Sequence, residues 1–92
     1  MEPVTTLKKI LIIEDEYFIQ ELYVRALAKA GYEVTVRLDG QTGLAAAQID
    51  TYDIILLDLM IPTITGIEVL RTLNNRKLTP RLHARIIVTT NL

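Results

Sequence analysis

The sequence predicts an α/β fold built on a doubly wound parallel sheet, and three observations lead to this class. Three short aliphatic runs, at residues 10–13, 54–57 and 86–88, have no polar face, which is typical of strands buried on both sides of a parallel sheet. Stretches with helical periodicity or Ala-rich composition separate the predicted strands. Strands that alternate with helices imply parallel pairing and right-handed crossovers. The predicted order is βαβαβαβ, in one domain over residues 1–92.

Composition limits the classes of protein that fit. The chain has 92 residues, of which 50% are hydrophobic, so it can form one packed domain and is not expected to be disordered. A net charge of −1 excludes the basic field that direct nucleic acid binding needs. Cys is absent, and no apolar run reaches the length of a membrane span or of a signal peptide core. We therefore expect a soluble, cytoplasmic protein with no nucleic acid or membrane contact.

The first half of the chain predicts two strands around one helix. A helix over residues 16–30 follows the first strand, and Gly31 suits the left-handed position after its end. Residues 33–37 alternate polar and apolar side chains, which predicts a half-exposed strand at a sheet edge. The helix carries one apolar stripe at helical spacing, made of Ile19, Leu22, Tyr23, Ala26, Leu27 and Ala30.

The second half predicts two further helices and strands. Asp39 is a plausible cap for a helix over residues 41–49, whose expected inner face is Leu44, Ala45 and Ile49. The strand at residues 54–57 leads into Asp58, and a loop containing Pro62 follows. A third helix, over residues 66–76, is predicted from Ile67, Val69, Leu70 and Leu73. A fourth strand covers residues 85–90.

Polar side chains stand at the carboxyl end of three predicted strands. Glu14 and Asp15 follow the first strand, Asp58 ends the third, and Thr89 or Thr90 ends the fourth. In open α/β sheets ligands bind outside this edge. Glu14 and Asp15 could be only first-turn acids of a helix, favoured by its dipole, but Asp58 at a second strand end favours a metal site. Oxygen ligands without His or Cys indicate Mg²⁺ before Zn²⁺, and a carboxylate can act as a nucleophile toward phosphorus.

The sequence resembles the receiver domains of bacterial two-component response regulators. The matching pieces are residues 9–16, residues 52–62, Gly66 and residues 86–90, and the spacing of Asp58, Pro62 and Gly66 follows that family's pattern. The resemblance runs from about residue 7 to the last residue. It implies a flavodoxin-like (CheY-like) fold with strand order 2-1-3-4-5.

The resemblance also implies roles for the metal-binding and phosphoacceptor residues. Asp58 would accept a phosphoryl group from a histidine kinase or a phosphotransfer protein. Asp15 would be the main Mg²⁺ ligand, Glu14 would bind through water, and the backbone carbonyl of Met60 would complete the protein ligands. The hydroxyl that responds to phosphorylation would be Thr90, or Thr89 if the register shifts by one residue.

The resemblance is incomplete at its end. Receiver domains normally continue through helix 4, strand 5 and helix 5, and a Lys before strand 5 pairs with the phosphate, but no Lys follows residue 77 here. Three explanations fit this early end. We favour a truncated form over a proteolytic product and over a natural short form that a partner completes. Without a fifth strand, residues 86–88 form an open aliphatic edge, which predicts self-association or segment swapping.

The sequence supports two functions of different classes and, more weakly, a third. The first is a signalling switch that passes its state to an output partner and is not a metabolic enzyme. The alternative is a receiver-like binding or scaffold module that does not switch, or an inactive truncated fragment. A phosphatase working through an aspartyl phosphate would want an Asp where Met60 stands.

Overall fold

The computed structural model describes residues 8–80 and 82–90, and it has the predicted element order. Residues 1–7, residue 81 and residues 91–92, Asn91 among them, lie outside the described part. The strands are β1 (Lys9–Ile13), β2 (Glu33–Arg37), β3 (Ile54–Asp58) and β4 (Arg85–Thr89), and the helices are α1 (Tyr17–Lys29), α2 (Gly40–Ile49) and α3 (Gly66–Asn74).

The four strands form one parallel sheet in the order β2-β1-β3-β4. This confirms the expected flavodoxin-like order over the strands present. The chain moves outward from β1 to β2, then returns past β1 to β3 and continues to β4. Since such crossovers are right-handed, α1 lies on one face of the sheet, and α2 and α3 lie on the other. The reversal places a topological switch point between the carboxyl ends of β1 and β3, where ligands bind in such folds.

The main core lies between the sheet and the helices α2 and α3. We call this the α2–α3 face, and its strand residues are Leu11, Ile13, Ile55 and Leu57, all 0% exposed. Val69 and Leu73 of α3 and Ala46 and Ala47 of α2 pack in the same cluster. The opposite side, which we call the α1 face, carries the alternate strand residues Ile10, Ile12, Ile54, Leu56 and Ile87.

The prediction for the inner face of α2 was wrong for Ala45 and Ile49, whereas Leu44 packs against the core cluster as predicted. Ala45 and Ile49 are exposed and Leu44 is half-buried, whereas the buried residues are Gly40, Gly43, Ala46 and Ala47. The helix lies so close to β1 that a Cβ on Gly43 would stand 2.6 Å from Cδ1 of Ile13. Only small residues fit at the closest approach, and the large side chain of Ile49 is exposed.

The apolar stripe predicted for α1 is only partly covered. Leu22 is 57% exposed and Ala26 and Ala30 are exposed, while the buried residue of the helix is Gln20. In α3, Val69 and Leu73 are buried as predicted, but Ile67 is 50% exposed. Helix α3 also ends at Asn74, two residues before the predicted end.

Candidate functional site

Three carboxylates meet at the carboxyl ends of β1 and β3. Glu14, Asp15 and Asp58 each offer an oxygen, and these oxygens all lie within 4.8 Å of one another. Glu14 is 1% exposed and Asp58 is 2% exposed, whereas Asp15 is exposed. The two strands are neighbours and Ile13 pairs with Leu57, so the residues that follow each strand emerge side by side. The sequence prediction that these acids converge is confirmed.

The turn after β1 is held by hydrogen bonds on several sides. The Glu14 N–H donates to the Arg37 carbonyl at 3.0 Å, which extends the pairing with β2. The Glu16 N–H donates to Oε2 of Glu14 at 3.0 Å. From α1, Nε2 of Gln20 donates to the Glu14 carbonyl at 2.5 Å. The backbone that carries Asp15 is therefore fixed although the Asp15 side chain is exposed.

The turn after β3 is equally constrained. The Met60 N–H donates to Oδ1 of Asp58 at 3.0 Å, and the Leu59 N–H donates to the Thr89 carbonyl at 3.1 Å. A Cβ on Gly66 would lie 2.4 Å from Cα of Leu59, a distance that no side chain tolerates. Gly66 thus lets α3 begin directly against the residue that follows Asp58, which accounts physically for a glycine eight residues after this acid.

Both candidate hydroxyl residues lie at the same edge of the sheet. Thr89 is the last residue of β4, stands opposite Asp58 in the strand register and is half-buried. Thr90 follows it and is exposed. The assignment of the responding hydroxyl to Thr90, with Thr89 as the alternative, stays a prediction.

The loop after Asp58 is tied to the start of α2. Thr63 has a φ of 69°, which is rare for a β-branched residue, and its Oγ1 accepts from the Gln41 N–H at 3.1 Å. Asp39 caps α2 by accepting from the Thr42 N–H at 2.8 Å, and this bond lowers the pKa of Asp39 below its ordinary value. The Gly40 N–H donates to the Pro62 carbonyl. The Asp39 cap could be predicted from the sequence, whereas the part played by Thr63 could not.

The chemistry of the donor set fits a hard divalent cation. All three side chains offer carboxylate oxygens, and ions such as Mg²⁺ bind through few carboxylates while keeping other positions for water or phosphate oxygens. The oxygen spacing of at most 4.8 Å lets one small ion contact or approach each of them.

None of the helices in the described part of the chain has the length and apolar character that a membrane span requires.

Comparison with known proteins identifies the family. Residues 10–92 match the family described as response regulator receiver domain. The chain belongs to this family. Receiver domains are signal-transduction switches rather than enzymes in the ordinary sense, and phosphorylation and Mg²⁺ binding at an acidic pocket are typical of them. Family membership, the fold and the signalling class predicted from the sequence are therefore confirmed.

Curated relatives include larger regulators. Response regulator ArlR of Staphylococcus saprophyticus is 43% identical over 72 residues, which are 78% of this chain and 33% of ArlR. The alkaline phosphatase synthesis transcriptional regulatory protein PhoP of Bacillus subtilis is 41% identical over 71 residues, 77% of this chain and 30% of that protein. The receiver chain thus spans about a third of the length of these relatives.

Solved receiver structures have the same fold. A CheY-like receiver domain from Methanospirillum hungatei superposes with a TM-score of 0.82 at 30% identity, covering 95% of this chain and 66% of that chain. The response regulator TrrA of Thermotoga maritima, solved in complex with Mg²⁺-BeF, gives a TM-score of 0.79 at 34% identity, with coverage of 91% and 70%.

Proposed function

We propose that this receiver domain is a phosphorylation switch in which Asp58 accepts a phosphoryl group with the help of Mg²⁺. The observation that carries the proposal is the convergence of three carboxylate oxygens within 4.8 Å at the switch point of the sheet. Family membership supplies the reaction class, and the donor set of Glu14, Asp15 and Asp58 suits the ion. We also propose that residues 1–92 belong to one receiver domain.

Each acid has a distinct role in this proposal. Asp15 and Asp58 bind Mg²⁺ directly, Glu14 binds through water, and the Met60 carbonyl supplies a main-chain oxygen. When bound, Mg²⁺ would neutralise charge on the acids and on the incoming phosphoryl group. The buried positions of Glu14 and Asp58 strengthen that electrostatic effect, because the surroundings screen charge less than water does.

The phosphodonor in the cell would be a phosphohistidine of a histidine kinase or of a phosphotransfer protein. An oxygen of the Asp58 carboxylate attacks phosphorus, an O–P bond forms and the N–P bond breaks. The leaving imidazole nitrogen keeps the electron pair and takes up a proton. The hydrogen bond from the Met60 N–H to Oδ1 helps to hold the Asp58 carboxylate in position for this attack.

The response would pass from Asp58 to an output partner. Thr90, or Thr89 as the alternative, would donate its hydroxyl to a phosphoryl oxygen and so draw the end of β4 toward the site. The partner is an effector domain or a downstream protein, and the compartment is the cytoplasm. The regulators ArlR and PhoP support this class of partner.

The test is intact mass after incubation with Mg²⁺ and phosphoramidate, a small phosphodonor. Wild type should gain one phosphoryl group, and Asp58→Asn should gain none because it lacks the nucleophilic oxygen. Asp53→Asn is the matched control, because Asp53 is an exposed acid just before the opposite end of β3, and it should be labelled like wild type. Label that persists in Asp58→Asn refutes the site, and an unlabelled wild type favours the module that does not switch.

The metal assignment has its own measurement. Asp15→Ala should remove most of the Mg²⁺ affinity, because it deletes one of few direct ligands. Calorimetric titration of the metal-free protein measures this without any phosphodonor. An unchanged Mg²⁺ affinity would refute the role given to Asp15.

We also propose that copies of this chain associate through β4. The strand is the last of the described sheet, and Ile87 and Val88 are 50% and 41% exposed. An apolar strand edge of this kind pairs readily with another chain. Sedimentation velocity over a range of concentrations should show dimers or larger species, and a monomer at high concentration would contradict this.

A further inference from the structure

Helix α1 has a polar residue where its packing leads one to expect an apolar one. Gln20 shares the sheet-facing side of the helix with Tyr23 and Leu27, three and seven residues later. It is 8% exposed and is the buried residue of this helix, whereas Leu22 on the apolar stripe is 57% exposed. Burying an amide costs free energy unless it is hydrogen-bonded, so packing alone does not explain this choice of residue.

The Gln20 amide forms a hydrogen bond with one backbone group of the acidic turn. Its Nε2 donates to the Glu14 carbonyl at 2.5 Å across six residues of chain. That carbonyl belongs to the peptide unit shared with Asp15, and the unit is planar. Holding the carbonyl oxygen therefore orients the whole plane and, with it, the direction in which Asp15 leaves the backbone.

Asp15 depends on its backbone more than the other two acids do. Glu14 and Asp58 are buried, whereas Asp15 is exposed and is not positioned by packing around its side chain. Its oxygen nevertheless lies within 4.8 Å of an oxygen on each partner. A fixed peptide plane would limit the positions open to the Asp15 carboxylate before any ion arrives, which lowers the ordering cost of binding.

We propose that Gln20 is a positioning residue for the metal site, holding the Glu14–Asp15 peptide so that the Asp15 carboxylate is set for a divalent cation. This inference rests on the proposed function and deepens it. Gln20 would touch neither the ion nor the phosphoryl group and would act through the backbone alone. Residues that orient metal ligands in this way typically change affinity by about 10- to 100-fold when replaced.

The test compares wild type with Gln20→Met, which preserves side-chain length and volume but removes the donor. Leu27→Ala is the matched control, because Leu27 lies on the same side of α1, is half-buried and is remote in sequence from the acidic turn. Circular dichroism and melting temperature establish that each variant folds. If Gln20→Met does not fold, Gln20→Leu, which is also apolar and lacks the donor, replaces it with the same expectation.

Two readouts separate positioning from a general loss of stability. In the metal-free protein, hydrogen exchange at the Glu16 amide should speed up in Gln20→Met and not in Leu27→Ala, because this amide bonds to the Glu14 side chain in the same turn. In Mg²⁺ titrations followed by calorimetry, the dissociation constant should rise about 10-fold in Gln20→Met and stay near wild type in Leu27→Ala. The labelling rate of Gln20→Met should recover at saturating Mg²⁺.

The outcomes distinguish this inference from the proposed function. Equal Mg²⁺ affinity in wild type and Gln20→Met overturns the role of Gln20 while the metal site stands. Equal weakening in Gln20→Met and Leu27→Ala also overturns it, since helix packing would then be the cause. A wild-type protein that binds no Mg²⁺ refutes the proposed function, and the inference fails with it.

Discussion

The two faces of the sheet are alike in sequence and differ in the structure. In β3, Ile55 and Leu57 on the α2–α3 face are 0% exposed, whereas Ile54 and Leu56 on the α1 face are half-buried. On the α1 face burial also falls along the sheet, from Ile12 at 0% in β1 to Ile87 at 50% in β4. Burial on this face is complete in β1, which lies inside the sheet, and least in β4, the last described strand, whose Val88 on the opposite face is also 41% exposed.

The well-covered α2–α3 face also supports the loop that follows Asp58. Helices α2 and α3 both begin at the carboxyl edge of the sheet, and their first residues, Gly40 and Gly66, contact the loop that follows Asp58. The packed face and the loop that follows Asp58 are therefore held together by direct contacts. The α1 face reaches the site through the Gln20 bond to Glu14.

The largest expected effect compares adjacent isoleucines of β3. Ile55→Ala should lower the free energy of unfolding by about 2–5 kcal/mol, because it leaves a cavity in a fully packed cluster. Ile54→Ala should cost roughly 1–2 kcal/mol, because its side chain is already partly in water. Urea unfolding measures both values. Equal losses would mean that the two faces are equally packed in solution.

A smaller effect tests whether the α2–α3 face and the site are one unit. Gly66→Ala should cost about 1–3 kcal/mol from overpacking and should weaken Mg²⁺ binding, because the new Cβ displaces Leu59, next to Asp58. Gly31→Ala is the control: its φ of 94° makes a side chain strained there, but nothing lies near its Cβ.

The measurements are urea unfolding and Mg²⁺ titration on the same samples. Gly31→Ala should lose stability and keep the Mg²⁺ affinity of wild type. If Gly66→Ala also keeps that affinity, α3 does not position the Asp58 loop.

The smallest effect concerns the cap at the start of α2. The folded pKa of Asp39 lies below its ordinary value of 3.8, chiefly because the Thr42 N–H bonds to the carboxylate. The folded state thus binds this proton less readily, so the contribution of Asp39 is present above pH 3.8 and is lost as the pH falls through the lowered pKa.

Asp39→Asn keeps a capping side chain and removes this titration. Its unfolding free energy should change little at neutral pH and should decline less steeply than that of wild type below pH 3.8. Asp50, whose pKa is lowered by its hydrogen bond from Lys9, titrates in both proteins and cancels in the comparison. Parallel pH profiles for the two proteins would contradict the assignment.

Most of the fold could be predicted because short-range patterns specify it. The unbroken aliphatic run in β3 and the alternation in β2 each matched a strand of the sheet, and the alternation of strands and helices led to the parallel order. The inner face of α2 could not be predicted, because it depends on how closely the helix approaches β1. That distance is set by Gly43 against Ile13, a contact between residues thirty positions apart.

The candidate site could likewise be predicted only in part. Glu14, Asp15 and Asp58 could be brought together from the sequence, because parallel strands deliver their carboxyl ends to one edge. Gln20 and Thr63 were missed as contributors. Spacing offered a signal for Gln20, which falls three residues before Tyr23 on the covered side of α1, but no local pattern shows that Thr63 adopts a positive φ and bonds to the start of α2.

The element order, the parallel sheet, the acids at its carboxyl edge and the receiver family could all be inferred from the sequence. Those features follow from side-chain periodicity and from residues close together in the chain. Three other features emerge only once the elements pack together: the covered face of each strand, the side of α2 that faces the sheet and the groups that hold the acidic turn. These depend on distances between separate elements, and such distances are set when helices of particular side-chain size pack on the sheet.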